Sequence, residues 1–220
     1  MTYVKKPAKR TKIVDNTYRS VPVGSTSMET KMPSKNPFQV VKDFEDAVAE
    51  YTGAPYCVNV NSCTNALFLC LEYHMQTNKY FCDDHGNSFV EIPKHTYISV
   101  PMQIKHAGYN YIKFREESWA GSYQLYTLNI WDSARRFTSN MFHASRIKKY
   151  ECISFHWSKI LGIQQGGAIL HNDPEFDKWA RRARFDGRTE GVAPNKDEFK
   201  ELGWHMYMSP EIAAEGLVRL

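Results

Sequence analysis

The sequence predicts an α/β fold, a three-layer sandwich in which helices cover both faces of a mostly parallel central sheet. Short apolar runs typical of buried strands alternate along the chain with segments whose apolar residues recur at helical spacing. This alternation is typical of strand–helix–strand units, in which successive strands are parallel. Hydrophobic residues make up 42% of the 220 residues, which is enough for a sizeable core and too many for a disordered chain.

The first predicted elements are a helix, a strand and a second helix. Asn36-Pro37 opens the first helix and Gly53 ends it. Its apolar positions at helical spacing are Val41, Phe44, Val48 and Tyr51. Residues 56–60 are predicted to form a short buried strand, which leads through the polar turn 61–64 into the second helix. One side of that helix carries Leu67, Cys70, Leu71 and His74.

The same alternation continues in the rest of the chain. Further strands are predicted at residues 89–92, 109–114, 125–131, 152–155 and 168–171. A helix is expected near residues 99–107. Another helix begins at Asp173-Pro174, an N-cap followed by a proline at the first helical position. Its apolar stripe is Phe176, Trp179, Ala180 and Ala183.

Positive charge is concentrated at the N-terminus of a chain whose net charge is +4. The first dozen residues contain no acidic residue. Their basic residues are Lys5, Lys6, Lys9, Arg10 and Lys12. Such a run either contacts a polyanion such as nucleic acid or forms a solvated arm. We predict a basic, partly flexible arm over residues 1–35 and no nucleic-acid partner.

The cysteines and the N-terminus indicate the class of protein. The five cysteines include no C-x-x-C pair, which argues against a disulfide framework or a zinc finger. Residues 82–85, Cys-Asp-Asp-His, carry metal-type side chains too close together to converge without a turn, so an exposed loop is favoured over a metal site. The N-terminus is polar, and no window approaches the ~20 apolar residues of a membrane span. We expect a cytoplasmic protein with no metal and no membrane association.

The most informative segment is Ser-Phe-His-Trp-Ser-Lys-Ile-Leu-Gly at residues 154–162, followed by Gly166-Gly167. It holds Lys159 between two short apolar segments. A lysine on a solvated surface needs no such setting. A lysine that must lose its proton and attack a carbonyl does, because burial and neighbouring cations favour the neutral amine. Lys159 is therefore the candidate nucleophile.

Several other polar residues are predicted to follow strands, where α/β proteins collect ligands. The turn 61–64 leads into a helix, so it either binds an anion or merely caps that helix. Asp132 follows the strand 125–131 as either a site carboxylate or the N-cap of a further helix. Thr96-Tyr97 follow the strand 89–92, where an aromatic ring either packs in the core or stacks on a planar ligand.

An arginine run near the end of a predicted helix also has two interpretations. Its members are Arg181, Arg182, Arg184 and Arg188. They could bind an anionic substrate such as a nucleotide diphosphate. Alternatively, they favour the negative end of the helix dipole and contact water.

Taken together and in chain order, these features resemble the sugar aminotransferases of the DegT/DnrJ/EryC1/StrS group, which depend on pyridoxal phosphate and have the fold called type I. The segments that carry the resemblance in the first part of the chain are 44–47, 51–53, 61–67, 92–93, 96–97 and 107–108. Those in the second part are 132–135 (Asp-Ser-Ala-Arg), 154–156, Lys159, Leu161, 166–169 (Gly-Gly-Ala-Ile), 182–187, Gly203, Met208, 213–214 and Leu220.

The resemblance implies a role for each site residue. Lys159 would form the Schiff base with the coenzyme aldehyde, and Asp132 would pair with the pyridinium nitrogen. Tyr97 would stack on the ring, and Arg135 stands where a residue near the coenzyme hydroxyl is usual. The phosphate would be held around Cys63, Thr64, Asn65 and Ser154. His205 occupies the position of an asparagine that reaches the phosphate of the neighbouring subunit.

The resemblance also implies the reaction and the assembly. A homodimer would move an amino group, with glutamate as the expected donor, to the keto carbon of a nucleotide-linked deoxysugar. Lys159 distinguishes the chain from the related sugar dehydratases, in which histidine stands at that position. The alternative is a non-catalytic protein derived from the same fold that binds the coenzyme or acts as a dimeric regulatory partner.

The chain departs from the family pattern mainly in length. The resemblance implies that the small C-terminal domain is largely missing and that the segment between Arg115 and Leu125 is much shorter than usual. Cys63 replaces a small residue, and Gln165 replaces an acid before the glycine pair. We expect a large coenzyme-binding domain over residues 36–188, followed by a linker and C-terminal helix over residues 189–220.

Overall fold

The computed structural model describes residues 36–77, 79–143, 147 and 149–220. The predicted arm of residues 1–35 lies outside these ranges. The helices are α1 (Gln39–Thr52), α2 (Cys63–Gln76), α3 (Ser99–His106), α4 (Pro174–Ala183) and α5 (Pro210–Arg219), with a 3-10 turn at Pro194–Lys196. The strands are β1 (Tyr56–Val60), β2 (Phe81–Cys82), β3 (Ser88–Pro93), β4 (Tyr111–Arg115), β5 (Tyr123–Leu125), β6 (Ile130–Asp132), β7 (Tyr150–Ser154) and β8 (Gly167–His171).

The strands form a sheet of order β1-β8-β7-β6-β5 and a smaller one of order β2-β3-β4, joined by a bridge between Glu91 and Tyr126. The α/β prediction is confirmed. Strands β1, β3, β4, β6 and β7 run in one direction, and β2, β5 and β8 run against them. The larger sheet is therefore mixed: β6 and β7 pair in parallel, and its other neighbouring strands pair antiparallel. The connection from β7 to β8 contains no helix, and these two strands pair antiparallel.

Helices cover the two faces of the larger sheet, as the three-layer prediction requires. Side chains of a strand alternate between faces, and this alternation divides the core. On β7, Cys152 belongs to the core beneath α2, α3 and α4, whereas Ile153 belongs to the core beneath α1 and α5. On β8, Ile169 and Leu170 divide in the same way.

One strand prediction was wrong. The segment 125–131 is not a single strand but the hairpin of β5 and β6, with a turn at residues 126–129. Thr127 takes a positive φ of 74° in this turn, and the side-chain amide of Gln124 donates to the Leu128 carbonyl, 2.7 Å away. Leu128 is buried although it lies in the turn. The apolar run therefore hid the reversal, because hydrophobicity does not distinguish a buried turn residue from a strand residue.

The helix boundaries follow the predicted signals closely. Gly53 ends α1 in the left-handed conformation, at φ 74°, and its N–H bonds to the Glu50 carbonyl. Asp173 caps α4, with Pro174 at the first helical position. In the described ranges, every helix is too short or too polar to span a bilayer.

Most arginines of the run 181–188 form ion pairs. Its buried members therefore neither bind an anionic substrate nor contact water at the end of the helix, the two interpretations that the sequence allowed. Arg184 and Glu45 are each 1% exposed and form an ion pair. Glu45 Oε2 accepts from Arg181 at 2.6 Å. Glu45 Oε1, which pairs with Arg184, also accepts the Asn59 N–H at 2.8 Å. This group joins α1, α4 and β1. A guanidinium buried in such a network cannot also bind an anionic substrate.

Candidate functional site

A cleft of about 840 Å³ lies at the carboxyl ends of β6 and β7, beside the N-terminus of α2. Ligands of α/β proteins collect at this end of the strands. Of the predicted site residues, those that line the cleft are Cys63, Thr64, Tyr97, Asp132, Arg135, Ser154 and Lys159. Residues far apart in the chain thus meet because the strand ends meet.

Asp132, the last residue of β6, is the buried acid of the cleft and is 6% exposed. Its Oδ2 accepts the Tyr123 hydroxyl at 2.8 Å, and its Oδ1 accepts the Ala134 N–H at 3.0 Å. Burial raises the pKa of Asp132 above its ordinary value, against the opposing effects of these two donors and of Lys159. A turn rather than a helix follows, so the N-cap interpretation was wrong.

The start of α2 contributes backbone N–H groups and a hydroxyl. The Ser62 hydroxyl accepts the Asn65 N–H at 3.2 Å and so caps the helix. Thr64 Oγ1 lies 3.0 Å from Ser99 Oγ at the start of α3. Ser154, at the end of β7, adds a further hydroxyl to the lining. This end of the cleft suits an anion, because hydroxyl donors and a positive helix terminus face it together.

Gly167 explains part of the glycine pair that the sequence singled out. A Cβ at this position would overlap the backbone of Ser62 and Cys63. The first residue of β8 therefore packs directly against the turn that opens α2. The glycine brings the anion-type turn and the lysine loop to one cleft.

The lysine loop connects β7 to β8 and holds Lys159 half-buried in the cleft lining. Phe155 anchors the start of this loop, because its side chain is buried and its N–H bonds to the Gly166 carbonyl at 2.9 Å. Lys159 N–H closes a turn onto the His156 carbonyl at 2.8 Å. The expected apolar setting is only partly present, because Trp157 and Ile160 are 70% and 61% exposed.

Arg135 and Tyr97 lie at the mouth of the cleft, where both are exposed. Tyr97 is 72% exposed, so the interpretation of its ring as core is wrong. Its position leaves the ring free to stack on a planar group in the cleft.

Two predicted residues do not line the cleft. The Asn65 side chain donates to Asn61 Oδ1 at 2.7 Å and serves the start of α2. His205 is exposed, and its Nδ1 lies 2.9 Å from Asp186 Oδ2. Their sequence positions could not show this, because the direction of a side chain depends on the neighbours that the fold provides.

Sequence reasoning missed several lining residues, above all Trp119, His95 and His156. It also missed Tyr123, which contacts Asp132 from behind. Trp119 and Tyr123 precede the segment 125–131, which was taken for one strand, so no periodicity pointed to them. In the described part of the chain, no three metal-binding side chains converge.

A sequence model of the DegT/DnrJ/EryC1/StrS aminotransferase family matches residues 30–114 and 124–220. The unmatched residues between these ranges include Trp119 and Tyr123. No curated protein sequence matches the chain.

Solved structures share the fold. The sugar aminotransferase CalS13 from Micromonospora echinospora is 17% identical, with a TM-score of 0.65, over 82% of this chain and 59% of that one. A GDP-4-keto-6-deoxymannose-3-dehydratase with bound GDP-perosamine is 15% identical, with a TM-score of 0.62, over 82% and 60%. NtdA from Bacillus subtilis, with bound cofactor PMP, is 15% identical, with a TM-score of 0.57, over 82% and 47%. The chain thus spans less than two thirds of the length of these structures.

Proposed function

Because the chain belongs to the DegT/DnrJ/EryC1/StrS aminotransferase family, we propose that it binds pyridoxal phosphate and transfers an amino group to the keto carbon of a nucleotide-linked deoxysugar. Glutamate is the proposed donor. The observation that supports this most strongly is the presence of Lys159 and the buried Asp132 on one cleft, one from the loop after β7 and the other from the end of β6.

The donor set of the cleft fits the coenzyme. The group is a planar ring with a basic nitrogen on one side and a phosphate on the other. Asp132 offers a buried carboxylate to the nitrogen. The Thr64 and Ser154 hydroxyls, with the N–H groups that open α2, offer donors to the phosphate. A volume of about 840 Å³ is in the range of pockets for ligands of this size.

The coenzyme, when bound, supplies an aldehyde and a ring that withdraws electrons from the reacting carbon. The chain's own residues would bind it and move protons. Lys159 Nζ would attach the coenzyme and, once the donor's amino group had displaced it, would carry the proton between the donor's α-carbon and the coenzyme C4′. The Asp132 carboxylate would hold the proton on the ring nitrogen, and Tyr97 would cover one face of the ring.

The charge of the cleft supports an anionic substrate. Asp132 is the one acid among the described lining residues, whereas Arg135 is a cation. A nucleotide diphosphate would meet positive charge at the mouth of the cleft, where Arg135 lies.

We also propose a homodimer in a cytoplasmic location. Large apolar side chains beside the cleft are exposed, namely Tyr97, Ile98, Trp157 and Ile160. Exposed apolar groups clustered in this way favour an interface. His205 would then serve the cleft of the neighbouring subunit rather than its own. The cysteines of the described ranges are all free, which supports a reducing compartment.

The experiment compares wild type with Lys159→Ala. After incubation with pyridoxal phosphate, wild type should gain a visible absorbance band that the variant lacks. Borohydride reduction should fix the coenzyme covalently to Lys159, as peptide mass spectrometry would show. Glutamate should then convert the band to that of the amine form of the coenzyme.

The outcomes separate the two candidate functions. A band that does not respond to glutamate or to other amino donors would favour a coenzyme-binding partner protein. Absence of a band in both proteins would contradict the coenzyme proposal itself. A Lys178→Ala variant is the matched control, because Lys178 lies on the surface of α4 in an exposed pair with Glu175.

A further inference from the structure

The Asp132 carboxylate accepts a hydrogen bond from a chain of two hydroxyl groups, those of Tyr123 and Thr96. Tyr123 is 2% exposed, and its hydroxyl donates to Asp132 Oδ2 at 2.8 Å. The Thr96 hydroxyl bonds to the same phenol oxygen. Since a phenol has one proton and Tyr123 gives it to Asp132, Thr96 must be the donor in the second bond. The order of donation is therefore Thr96 to Tyr123 to Asp132.

Tyr123 comes from the part of the chain that the family model does not match. It opens β5, the strand that pairs antiparallel with β6 and places Tyr123 directly opposite Asp132. Trp119, four residues earlier, packs against its ring with centroids 4.7 Å apart and bonds through Nε1 to the His95 carbonyl at 2.8 Å. The unmatched segment therefore forms both a wall of the cleft and the support of its acid.

A carboxylate has room for this support and for a ligand at the same time. Its two oxygens offer about four acceptor positions. Tyr123 and the Ala134 N–H occupy one position on each oxygen, which fixes the plane of the carboxylate. Hydrogen bonds donated to the charged form also stabilise that form in a buried site.

We propose that Tyr123 is a positioning residue, which orients the Asp132 carboxylate toward the ring nitrogen of bound pyridoxal phosphate. The inference rests on the proposed function, since it assigns Asp132 to that nitrogen. Burial and the neighbouring Asp132 raise the pKa of Tyr123, so the phenol stays protonated and remains a donor.

A buried tyrosine that only satisfies its own hydroxyl would show the same contact, so the test needs a matched control. Tyr150 provides it. Its hydroxyl donates to Asp173 Oδ2 at the same 2.8 Å, and both residues are buried. Tyr150 does not belong to the lining of the cleft. The variants Tyr123→Phe and Tyr150→Phe thus lose the same kind of bond in two places.

The experiment measures the affinity of wild type and both variants for two compounds. One is pyridoxal phosphate, and the other is 1-deazapyridoxal phosphate, in which a carbon replaces the ring nitrogen. Tyr123→Phe should weaken binding of pyridoxal phosphate about ten- to a hundredfold, the range for losing a hydrogen bond to a charged group. It should leave binding of the deaza compound within about twofold of wild type, because Asp132 has no nitrogen to meet there. Tyr150→Phe should change neither affinity.

Provided that wild type binds pyridoxal phosphate, two results would overturn the inference alone. Equal loss of both compounds in Tyr123→Phe would mean that Tyr123 only shapes the cleft. Unchanged affinity for pyridoxal phosphate would mean that Asp132 does not need this support. If wild type binds neither compound, the proposed function fails first, and Tyr123 has no ring nitrogen to serve.

Discussion

At the scale of single residues, two buried carboxylates show how different surroundings give one side chain a structural task and another a chemical one. Glu45 is paired on both oxygens with arginines, so its charge is balanced. Asp132 receives one N–H and one phenol, with Lys159 acting from the lysine loop. Burial raises its pKa because these groups compensate its charge only in part. Under-compensated groups in clefts are typical of functional sites.

The raised pKa of Asp132 predicts a pH-dependent cost to the stability of the coenzyme-free protein. The folded state binds a proton at Asp132 more readily than the unfolded chain does. Its contribution therefore becomes less favourable as pH rises above the ordinary value of 3.8 and through the raised pKa. Asp132→Asn should remove this cost and gain stability relative to wild type as pH rises.

Urea unfolding of both proteins at a series of pH values between about 3 and 8 would measure the difference. The groups facing Asp132 are Tyr123, Lys159, Cys63 and Cys152, from four different segments. Asp43→Asn is the control, because Asp43 is exposed on α1. A stability difference that stays constant with pH would contradict the assignment.

At the scale of elements, two positions require glycine because neighbouring elements approach them too closely for a side chain. Secondary-structure propensity alone would not favour glycine there. Gly167 allows β8 to meet the turn that opens α2. Gly216 lies inside α5, where glycine ordinarily weakens a helix. A Cβ there would overlap the ring of Phe44 on α1. The pairing of these two helices therefore depends on a residue that is a poor helix former.

Gly216→Ala should destabilise the protein by about 1–3 kcal/mol, although the same change in a solvated helix stabilises it by about 1 kcal/mol. The reason is that the fully buried Phe44 ring lies too close to the position of the new Cβ. Chemical denaturation measures the effect. Val218→Ala on the same helix is the control, since Val218 is 89% exposed and should change stability by less than about 0.5 kcal/mol. A stabilised Gly216→Ala protein would show that α1 and α5 do not pack this closely.

At the scale of the whole molecule, Glu45 connects the two helical layers at β1, an edge strand of the larger sheet. It belongs to α1 on one face, whereas Arg181 and the adjoining Arg184 come from α4 on the other. The Asn59 N–H on β1 reaches the same carboxylate. Buried ion pairs of this kind contribute little net stability over apolar packing, yet breaking one is costly because a charge stays buried without its partner.

Glu45→Gln should therefore destabilise the protein by up to about 3–5 kcal/mol, since both guanidinium groups lose their shared carboxylate and keep only Asp177 and Glu190 as partners. Thermal and urea unfolding would give the value. Asp46→Asn is the matched control from the next position, where Asp46 pairs with Lys42 on the exposed side of α1. Its effect should stay below about 1 kcal/mol. Equal effects of the two changes would show that the network does not hold the layers together.

The sequence by itself determined the α/β class, nearly all the helices and strands, and the placement of Lys159 and Asp132 at one end of the sheet. These features depend on local signals: the spacing of apolar residues, the cap at Asp173, the glycine after α1. Residues that follow neighbouring parallel strands then lie close together, because the carboxyl ends of these strands meet at one edge of the sheet. The roles of the site residues stay predictions that the coenzyme experiments test.

Only the tertiary structure decided the turn inside 125–131, the burial of Arg184 against Glu45 and the contact of Tyr123 with Asp132. It also turned the side chains of Asn65 and His205 away from the cleft. Each of these depends on which segments become neighbours across the sheet. Such pairing is set by contacts between residues far apart in the chain, which no periodicity within one segment can show.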